Sequence, residues 1–265
     1  MYMSEEHNIA TEKYEPIPSV TMVASSIMGT RKYQQDSYAC IETPMGDLAV
    51  VCDGMGGLEG GERASGLGIQ TLLEDYIRLT DPDVRSFLYR EVVKIDDMVA
   101  HISDETGRPI GAGSTIVAVH IKDGVMHWVS VGDSKIYVVR GGTMQCIVRE
   151  HNYRLMLNEM YINGKLTLEQ YRSEESKAEA LISFLGIGGV SLVDLSEAPV
   201  QLMPGDQILL CSDGLYKSLS DERILAILTD NYFDLQRAAD ELTAAALRYA
   251  GRGQDNTTVV LVRYG

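Results

Sequence analysis

The sequence predicts an α+β protein in which antiparallel sheets are covered by helices. Three observations predict this class: short runs rich in Val and Ile end at turn residues, consecutive runs fit hairpins, and helical patterns are grouped between them. No low-complexity tract, fixed-period repeat or Pro/Gly/Ser linker divides the 265 residues. We therefore predict one domain over 19–265, preceded at 1–18 by a loose arm or an edge strand.

Six runs have the length and composition of strands, and each is bounded by turn residues. They cover residues 47–52, 113–121, 125–131, 135–140, 207–211 and 257–263. The pairs Asp123-Gly124 and Gly141-Gly142 fit the tight turns of hairpins. The runs between 113 and 140 therefore predict consecutive antiparallel strands.

Three segments carry apolar residues at spacings of three and four, which is typical of amphipathic helices. They are 62–79, 83–102 and 235–249, the last with Asp234 as a candidate N-cap. The stretch 150–181 is polar instead, with Asn, Glu, Lys and Ser. We predict that it forms an exposed flap with one or two short helices.

The charge balance limits the classes of partner. Lys and Arg number 23 against 38 Asp and Glu, which gives a net charge of −15. Such a surface repels nucleic acid and anionic membranes, whereas converging carboxylates attract hard metal cations. The four cysteines form no CxxC motif, and the N-terminus is polar and acidic. These features predict a reducing, cytoplasmic location.

Aspartates mark the ends of the predicted strands. A single Asp at a strand end usually caps its own backbone. As a set, they would meet in one cleft if the strands end on the same side, and they would repel one another unless a cation neutralises them. The set comprises Asp36, Asp53, Asp133, Asp213 and Asp255.

The type of donor atom indicates the metal. Oxygen-only ligation favours Mg²⁺ or Mn²⁺ over zinc. Two such ions about 4 Å apart could hold a phosphoryl group between them. Arg31, five residues before Asp36, could bind phosphate oxygens with its forked guanidinium.

The segments around these residues resemble the metal-dependent protein serine/threonine phosphatases of the PPM family, also called PP2C-like. They occur in the family's order over nearly the whole chain, and Asp53-Gly54-Met55-Gly56-Gly57 resembles the bacterial branch. The others are Gly29-Thr30-Arg31 through Asp36, Gly60-Gly61-Glu62, Gly113-Ser114-Thr115, Val131-Gly132-Asp133-Ser134, Leu202-Met203-Pro204-Gly205-Asp206, Cys211-Ser212-Asp213-Gly214-Leu215 and Gln254-Asp255-Asn256-Thr257-Thr258.

The resemblance implies a β-sandwich of two antiparallel sheets with helix pairs on both outer faces. It implies two Mn²⁺ or Mg²⁺ ions at one end of the sandwich, and a hydroxide bridging them that attacks phosphorus in line. Asp53 would bridge both ions, and the Gly54 carbonyl would ligate one of them.

The remaining roles follow from the same resemblance. Asp213 and Asp255 would hold the other ion, while Asp36 would act in catalysis mainly through bound water. Asp133 matches a position linked to a third, weaker metal site beside the flap. Arg31 would bind the substrate phosphate.

Departures from the family pattern affect the flap side and the proton donor. Met55 stands where animal members carry a His proposed as general acid, so leaving-group protonation would fall to water. Lys135 replaces a common Arg after Asp-Ser. Gln35 removes a charge that some relatives have near the metals.

Two functions fit the sequence. The first is hydrolysis of phosphoserine and phosphothreonine in proteins by a monomer that opposes a cognate serine/threonine kinase. The alternative is a non-catalytic PP2C-like regulatory binding module, which loss of metal ligands would mark; none of the five aspartates is lost. A weaker third hypothesis is a phosphatase for small molecules or for a stress-response regulator.

Overall fold

A computed structural model describes residues 19–56, 60–251 and 253–265. The arm predicted at 1–18 lies outside the described residues, as does Gly57 of the glycine-rich motif. The strands are β1 (Val20–Ile27), β2 (Asp36–Thr43), β3 (Gly46–Met55), β4 (Gly113–Ser114), β5 (Ile116–Lys122), β6 (Val125–Val131), β7 (Lys135–Arg140), β8 (Thr143–Cys146), β9 (Asp194–Leu195), β10 (Val200–Gln201), β11 (Gln207–Cys211) and β12 (Thr257–Tyr264).

The helices follow the predicted grouping. They are α1 (Gly60–Ile77), α2 (Val84–Ala100), α3 (Tyr153–Ile162), α4 (Leu168–Glu174), α5 (Asp213–Tyr216), α6 (Asp221–Asp230) and α7 (Leu235–Tyr249), with a 3₁₀ turn at Glu175–Lys177. In the described part of the chain, no helix is both long and apolar enough to cross a bilayer.

The described strands form two antiparallel sheets. One has the order β1-β12-β11-β7-β8, and the other has the order β10-β6-β5-β3-β2, with β4 paired to β3 and β9 to β6. The α+β class and the antiparallel pairing predicted from the sequence are confirmed.

Alternation along the strands builds four layers. In β3, Val51 points into the core between the two sheets, whereas Val50 packs against the α1 and α2 pair. In β11, Leu210 enters the same central core and Leu209 packs against α6 and α7. Because both faces of these strands are covered, they read as continuous apolar runs. The predicted sandwich flanked by helix pairs is therefore the observed one.

The boundaries differ from prediction in two places that matter for the site. The run 113–121 divides at Thr115, whose N–H donates to the Asp53 carbonyl oxygen at 2.8 Å and whose hydroxyl accepts from the Asp53 N–H at 3.0 Å. The edge strand β1 was not predicted, because its pairing with β12 joins residues that are distant in sequence.

The stretch predicted as a flap, 150–181, contains the two short helices α3 and α4.

Candidate active site

The strand ends bring the predicted aspartates to one end of the sandwich. Asp36 begins β2 and lies opposite Asp53 of β3 in the antiparallel register. Asp133 lies between β6 and β7, Asp213 begins α5 and is separated from the end of β11 by one residue, and Asp255 precedes β12. Five carboxylates that are remote in sequence therefore belong to one region.

A cavity of about 340 Å³ opens at this end. The predicted site residues that line it are Arg31, Asp53, Gly54, Asp133, Asp213 and Asp255. Asp36 is not among the lining residues that the structure describes; it is 7% exposed, and its charge acts on Asp53. The structure thus brings six of the seven predicted positions to one cavity and buries the seventh beside it.

The carboxylates strongly affect one another. Burial raises the pKa of Asp53 well above its usual range, and the charges of Asp36, Asp213, Asp133 and Asp255 raise it further. Burial likewise raises the pKa of Asp133 to about 6, with the charge of Asp213 adding to the effect. Such a cluster is unfavourable unless positive charge neutralises it.

Asp36 has one satisfied and one unsatisfied oxygen. The Ser212 hydroxyl donates to its Oδ2 at 2.7 Å, whereas its buried Oδ1 has no hydrogen-bond partner in the described structure. Burial raises the pKa of Asp36 to about 6, although the hydrogen bond from Ser212 opposes this rise. A buried carboxylate oxygen without a partner is costly, and a cation or water would satisfy it.

Two basic side chains lie among the aspartates. Arg31 donates from Nη2 to Asp255 Oδ2 at 2.6 Å. Lys217, which the sequence analysis did not single out, lies 2.5 Å from Asp213 and 3.6 Å from Asp133. Within the described residues, no three His, Cys, Asp or Glu side chains are arranged around one point as metal ligands. The carboxylates therefore share a cavity with the side chains of Arg31 and Lys217.

The donor set nevertheless suits a hard divalent cation. It consists of carboxylate oxygens, among them the unsatisfied Oδ1 of Asp36, and no Cys or His lines the described cavity. Hard oxygen donors of this kind favour Mg²⁺ or Mn²⁺. Residues at this end of the sandwich therefore fit the group that the resemblance implies.

The backbone at Gly54 admits no side chain. A Cβ there would lie 2.1 Å from the Gly61 carbonyl oxygen and 2.5 Å from that of Gln35. The Gly54 N–H donates to the Gln35 carbonyl at 3.1 Å. Glycine is required here because β3, the start of α1 and the Arg31–Asp36 loop approach one another backbone to backbone.

Several polar residues of the sequence motifs position the site, although the sequence predicted no role for them. Asn256 accepts from the Gln35 N–H at 2.8 Å and donates to the Tyr33 carbonyl at 2.9 Å, which holds the loop that carries Arg31. Thr115 fixes the Asp53 backbone and shares a hydrogen bond with Ser134 at 2.8 Å. Asn256 and Ser134 directly follow aspartates of the motifs, and this position is the sequence signal for them, whereas Thr115 has no such neighbour.

The flap joins the site through Lys135. Its Nζ pairs with Glu150 at 2.8 Å and lies 3.7 Å from the centre of the Tyr216 ring. The Tyr216 hydroxyl donates to the Asp133 carbonyl at 2.9 Å. Lys135, which departs from the family pattern, therefore connects Glu150 at the beginning of the flap to Tyr216, which in turn contacts Asp133. At the flap's other end, Glu179 lines the cavity, which the sequence did not predict.

Known proteins share both the sequence pattern and the fold. The chain is 27% identical over 219 residues to the serine/threonine phosphatase stp of Listeria welshimeri, which covers 81% of this chain and 83% of the relative. It resembles the crystal structure of the serine/threonine phosphatase PstP/Ppp of Mycobacterium tuberculosis with a TM-score of 0.76 and 28% identity, covering 92% of this chain and 98% of that one.

A structure of the PstP catalytic domain in complex with 2 manganese ions matches with a TM-score of 0.75 and 28% identity, covering 93% of this chain and 99% of that one. The family model described as protein phosphatase 2C matches residues 28–248. Because this match includes most of the 265 residues and every aspartate of the cavity except Asp255, the chain belongs to the protein phosphatase 2C family.

Proposed function

We propose that this chain hydrolyses phosphoserine and phosphothreonine in proteins, with Mn²⁺ or Mg²⁺ as its cofactor. Its family and the phosphatases that it resembles support this reaction class. The observation that carries the proposal is the meeting of Asp53, Asp133, Asp213 and Asp255 with Arg31 around one cavity. Four carboxylates would repel a phosphate group, so activity should require added divalent cations.

We propose the following oxygen donors for two ions. Asp53 would serve both ions, and the Gly54 carbonyl would ligate one of them. Asp213 and Asp255 would hold the other, and the buried Asp36 would act mainly through water. When bound, the ions supply Lewis acidity and neutralise the charge on the phosphoryl group.

Arg31 is the proposed ligand of the substrate phosphate. Its side chain is 60% exposed at the cavity, and its guanidinium carries paired donors that suit phosphate oxygens. The contact to Asp255 holds the guanidinium at the cavity while leaving other N–H groups available. Arg31 would therefore bind and orient the phosphate.

Protonation of the leaving group would fall to water. Met55 lines the cavity at the position where some relatives place a His, and no His lines the described cavity. His151 is fully buried, and its Nδ1 accepts from the Gly132 N–H at 3.2 Å, so it supports the backbone beside Asp133. We assign it no proton transfer.

The substrates and setting are proposals of the same kind. We propose phosphorylated proteins as substrates, a serine/threonine kinase as the opposing enzyme, and a monomer as the working unit. The thiols of Cys52 and Cys211 are free and buried in apolar surroundings, which suits a reducing compartment such as the cytoplasm.

Hydrolysis of a phosphothreonine peptide tests the proposed function. The purified chain should release phosphate with Mn²⁺ and lose this activity in EDTA, and excess Mn²⁺ should restore it. Asp213→Asn should abolish turnover while its circular dichroism spectrum stays that of the wild type. A folded, Mn²⁺-loaded wild type that releases no phosphate would refute the proposal and favour the non-catalytic module.

A further inference from the structure

Lys217 places a positive charge of the chain itself among the carboxylates. It follows α5 and lies four residues beyond Asp213, so its side chain can return to that carboxylate across one helical turn. Its Nζ lies 2.5 Å from Asp213 Oδ2 and 3.6 Å from Asp133 Oδ2. Lys217 also lines the cavity. The Lys217 ammonium therefore lies close to two carboxylates, one from the turn between β6 and β7 and the other from the start of α5.

The two carboxylates that face Lys217 are shielded from water. The side chains of Asp133 and Asp213 are only 7% and 17% exposed, so water screens their charges little. The Lys217 ammonium, whose side chain is 43% exposed, therefore approaches both carboxylates from the cavity side.

Hydrogen bonds next to Lys217 hold the main chain at both aspartates. The hydroxyl of Tyr216 donates to the Asp133 carbonyl at 2.9 Å, and Lys135 lies over the face of the Tyr216 ring. The Lys217 N–H donates to the Asp213 carbonyl at 3.0 Å. The short segment that carries Asp213 and Lys217 is therefore held to the main chain at Asp133.

We propose that the Lys217 ammonium occupies the position that a third divalent ion would take between Asp133 and Asp213. The inference rests on the proposed function, because it concerns the same metal centre. An ammonium and a divalent cation compete for the same carboxylate oxygens and repel each other at contact distance. The chain would work with two ions and its own amine in place of the third, weaker ion that the resemblance links to Asp133.

Calorimetric titration of chelator-treated protein with Mn²⁺ tests this inference without measuring turnover. A neighbouring charge changes the proton affinity of a carboxylate by about ten- to thousand-fold. We therefore expect Lys217→Met to tighten the weakest Mn²⁺ site at least about tenfold, so that a third ion binds per chain. Lys217→Gln should behave in the same way, which keeps the test valid if either variant folds poorly, and Lys217→Arg should bind like the wild type.

A matched control removes a lysine that forms an ion pair with a carboxylate away from the cavity. Lys177 pairs with Glu174 at 2.9 Å and does not line the described cavity, so Lys177→Met should leave the Mn²⁺ isotherm unchanged. Adding Asp133→Asn to Lys217→Met should remove the third ion. If it does not, Lys217 acts on Asp213 alone and the inference is wrong.

Other outcomes are equally decisive. Superimposable isotherms of wild type and Lys217→Met would overturn the inference, as would a wild type that already binds a third ion equally tightly. A rise in KM with unchanged Mn²⁺ binding would make Lys217 a substrate ligand instead. Normal Mn²⁺ binding without phosphate release would refute the proposed function and leave this inference standing.

Discussion

The guanidinium of Arg31 donates to the carboxylate of Asp255 over 2.6 Å, so the proposed phosphate ligand contacts a proposed metal ligand. The two side chains are 60% and 38% exposed. An ion pair of this exposure contributes at most about 1 kcal/mol to stability. The contact therefore matters for where the guanidinium lies in the cavity and little for the stability of the fold.

Arg31→Ala should raise KM for a phosphothreonine peptide about tenfold or more and change the melting temperature little. In its proposed role the guanidinium would contact the phosphate in the ground state as well as in the transition state, so its loss would weaken binding in both. Steady-state kinetics and a thermal melt measure the two effects. Arg248→Ala, which breaks an exposed pair with Glu241 on α7, should leave KM unaltered. An unchanged KM in Arg31→Ala would remove this role.

Asp53→Asn should reduce kcat by more than about a hundredfold, since even changes to groups behind metal ligands cost about ten- to a hundredfold. In EDTA the variant should unfold at a urea concentration equal to or above that of the wild type. The reason is that the amide removes a charge repelled by Asp36, Asp213 and Asp133. Phosphate release and urea denaturation measure the two quantities.

Asp47→Asn is the matched control for this change. Asp47 lies in the same strand, β3, at the end remote from Asp53, and its pKa is also raised by burial and by the charge of Glu42. The control should keep wild-type activity. Retention of full activity by Asp53→Asn would show that its carboxylate does not serve the ions.

Gly54→Ala should lose both stability and activity, because its Cβ would approach the Gly61 carbonyl oxygen to 2.1 Å. The Gln35 carbonyl oxygen would lie 2.5 Å from the same Cβ. Because both oxygens belong to the backbone, β3 and the start of α1 would have to move apart. Gly66→Ala is the matched control: it lies within α1, and no atom comes within 4 Å of its added Cβ. That variant should be more stable by about 0.5–1 kcal/mol. Thermal melts of both variants measure these effects. A Gly54→Ala variant that is as stable as the wild type, or more stable, would contradict the prediction.

Strand ends were predictable from the sequence because their signals are local. The runs at 125–131, 135–140 and 207–211 coincide with β6, β7 and β11. Asp133 lies between the end of β6 and the start of β7, and Asp213 lies just beyond the end of β11. Local sequence signals are therefore sufficient to place Asp133 and Asp213 at strand ends.

The surroundings of those aspartates depend on contacts distant in sequence. Lys217 lies outside the sequence motifs. From the sequence, its i, i+4 spacing from Asp213 is typical of an ordinary pair on a helix surface, and only the fold places Asp133 beside it. Asp36 is buried and accepts a hydrogen bond from Ser212, which lies 176 residues further along the chain, so these surroundings could not be read from its own segment. Local patterns thus predicted which aspartates lie at the strand ends, and tertiary packing determined the charges that face them.

Glu91→Gln should stabilise the protein at alkaline pH and leave it unchanged at acid pH. Glu91 of α2 is 8% exposed, and its Oε2 has no hydrogen-bond partner in the described structure. Burial, the hydrogen bond to Asp75 and the charge of Asp75 raise its pKa from 4.5 to about 7. The stability that the protonated carboxyl contributes is therefore fully present below pH 4.5 and is lost as the pH rises through about 7.

Urea unfolding at pH 4 and pH 8 measures this effect, since the amide resembles the protonated carboxyl at both values. At pH 8 the variant should be more stable than the wild type by about 1 kcal/mol, a figure that allows for solvent screening and for the opposing charge of Lys94. At pH 4, below the unfolded value of 4.5, the two free energies of unfolding should agree. Glu74→Gln, at an exposed position of α1, should show no difference at either pH. A stability difference between Glu91→Gln and wild type that is the same at both pH values would mean that Glu91 is ionised throughout.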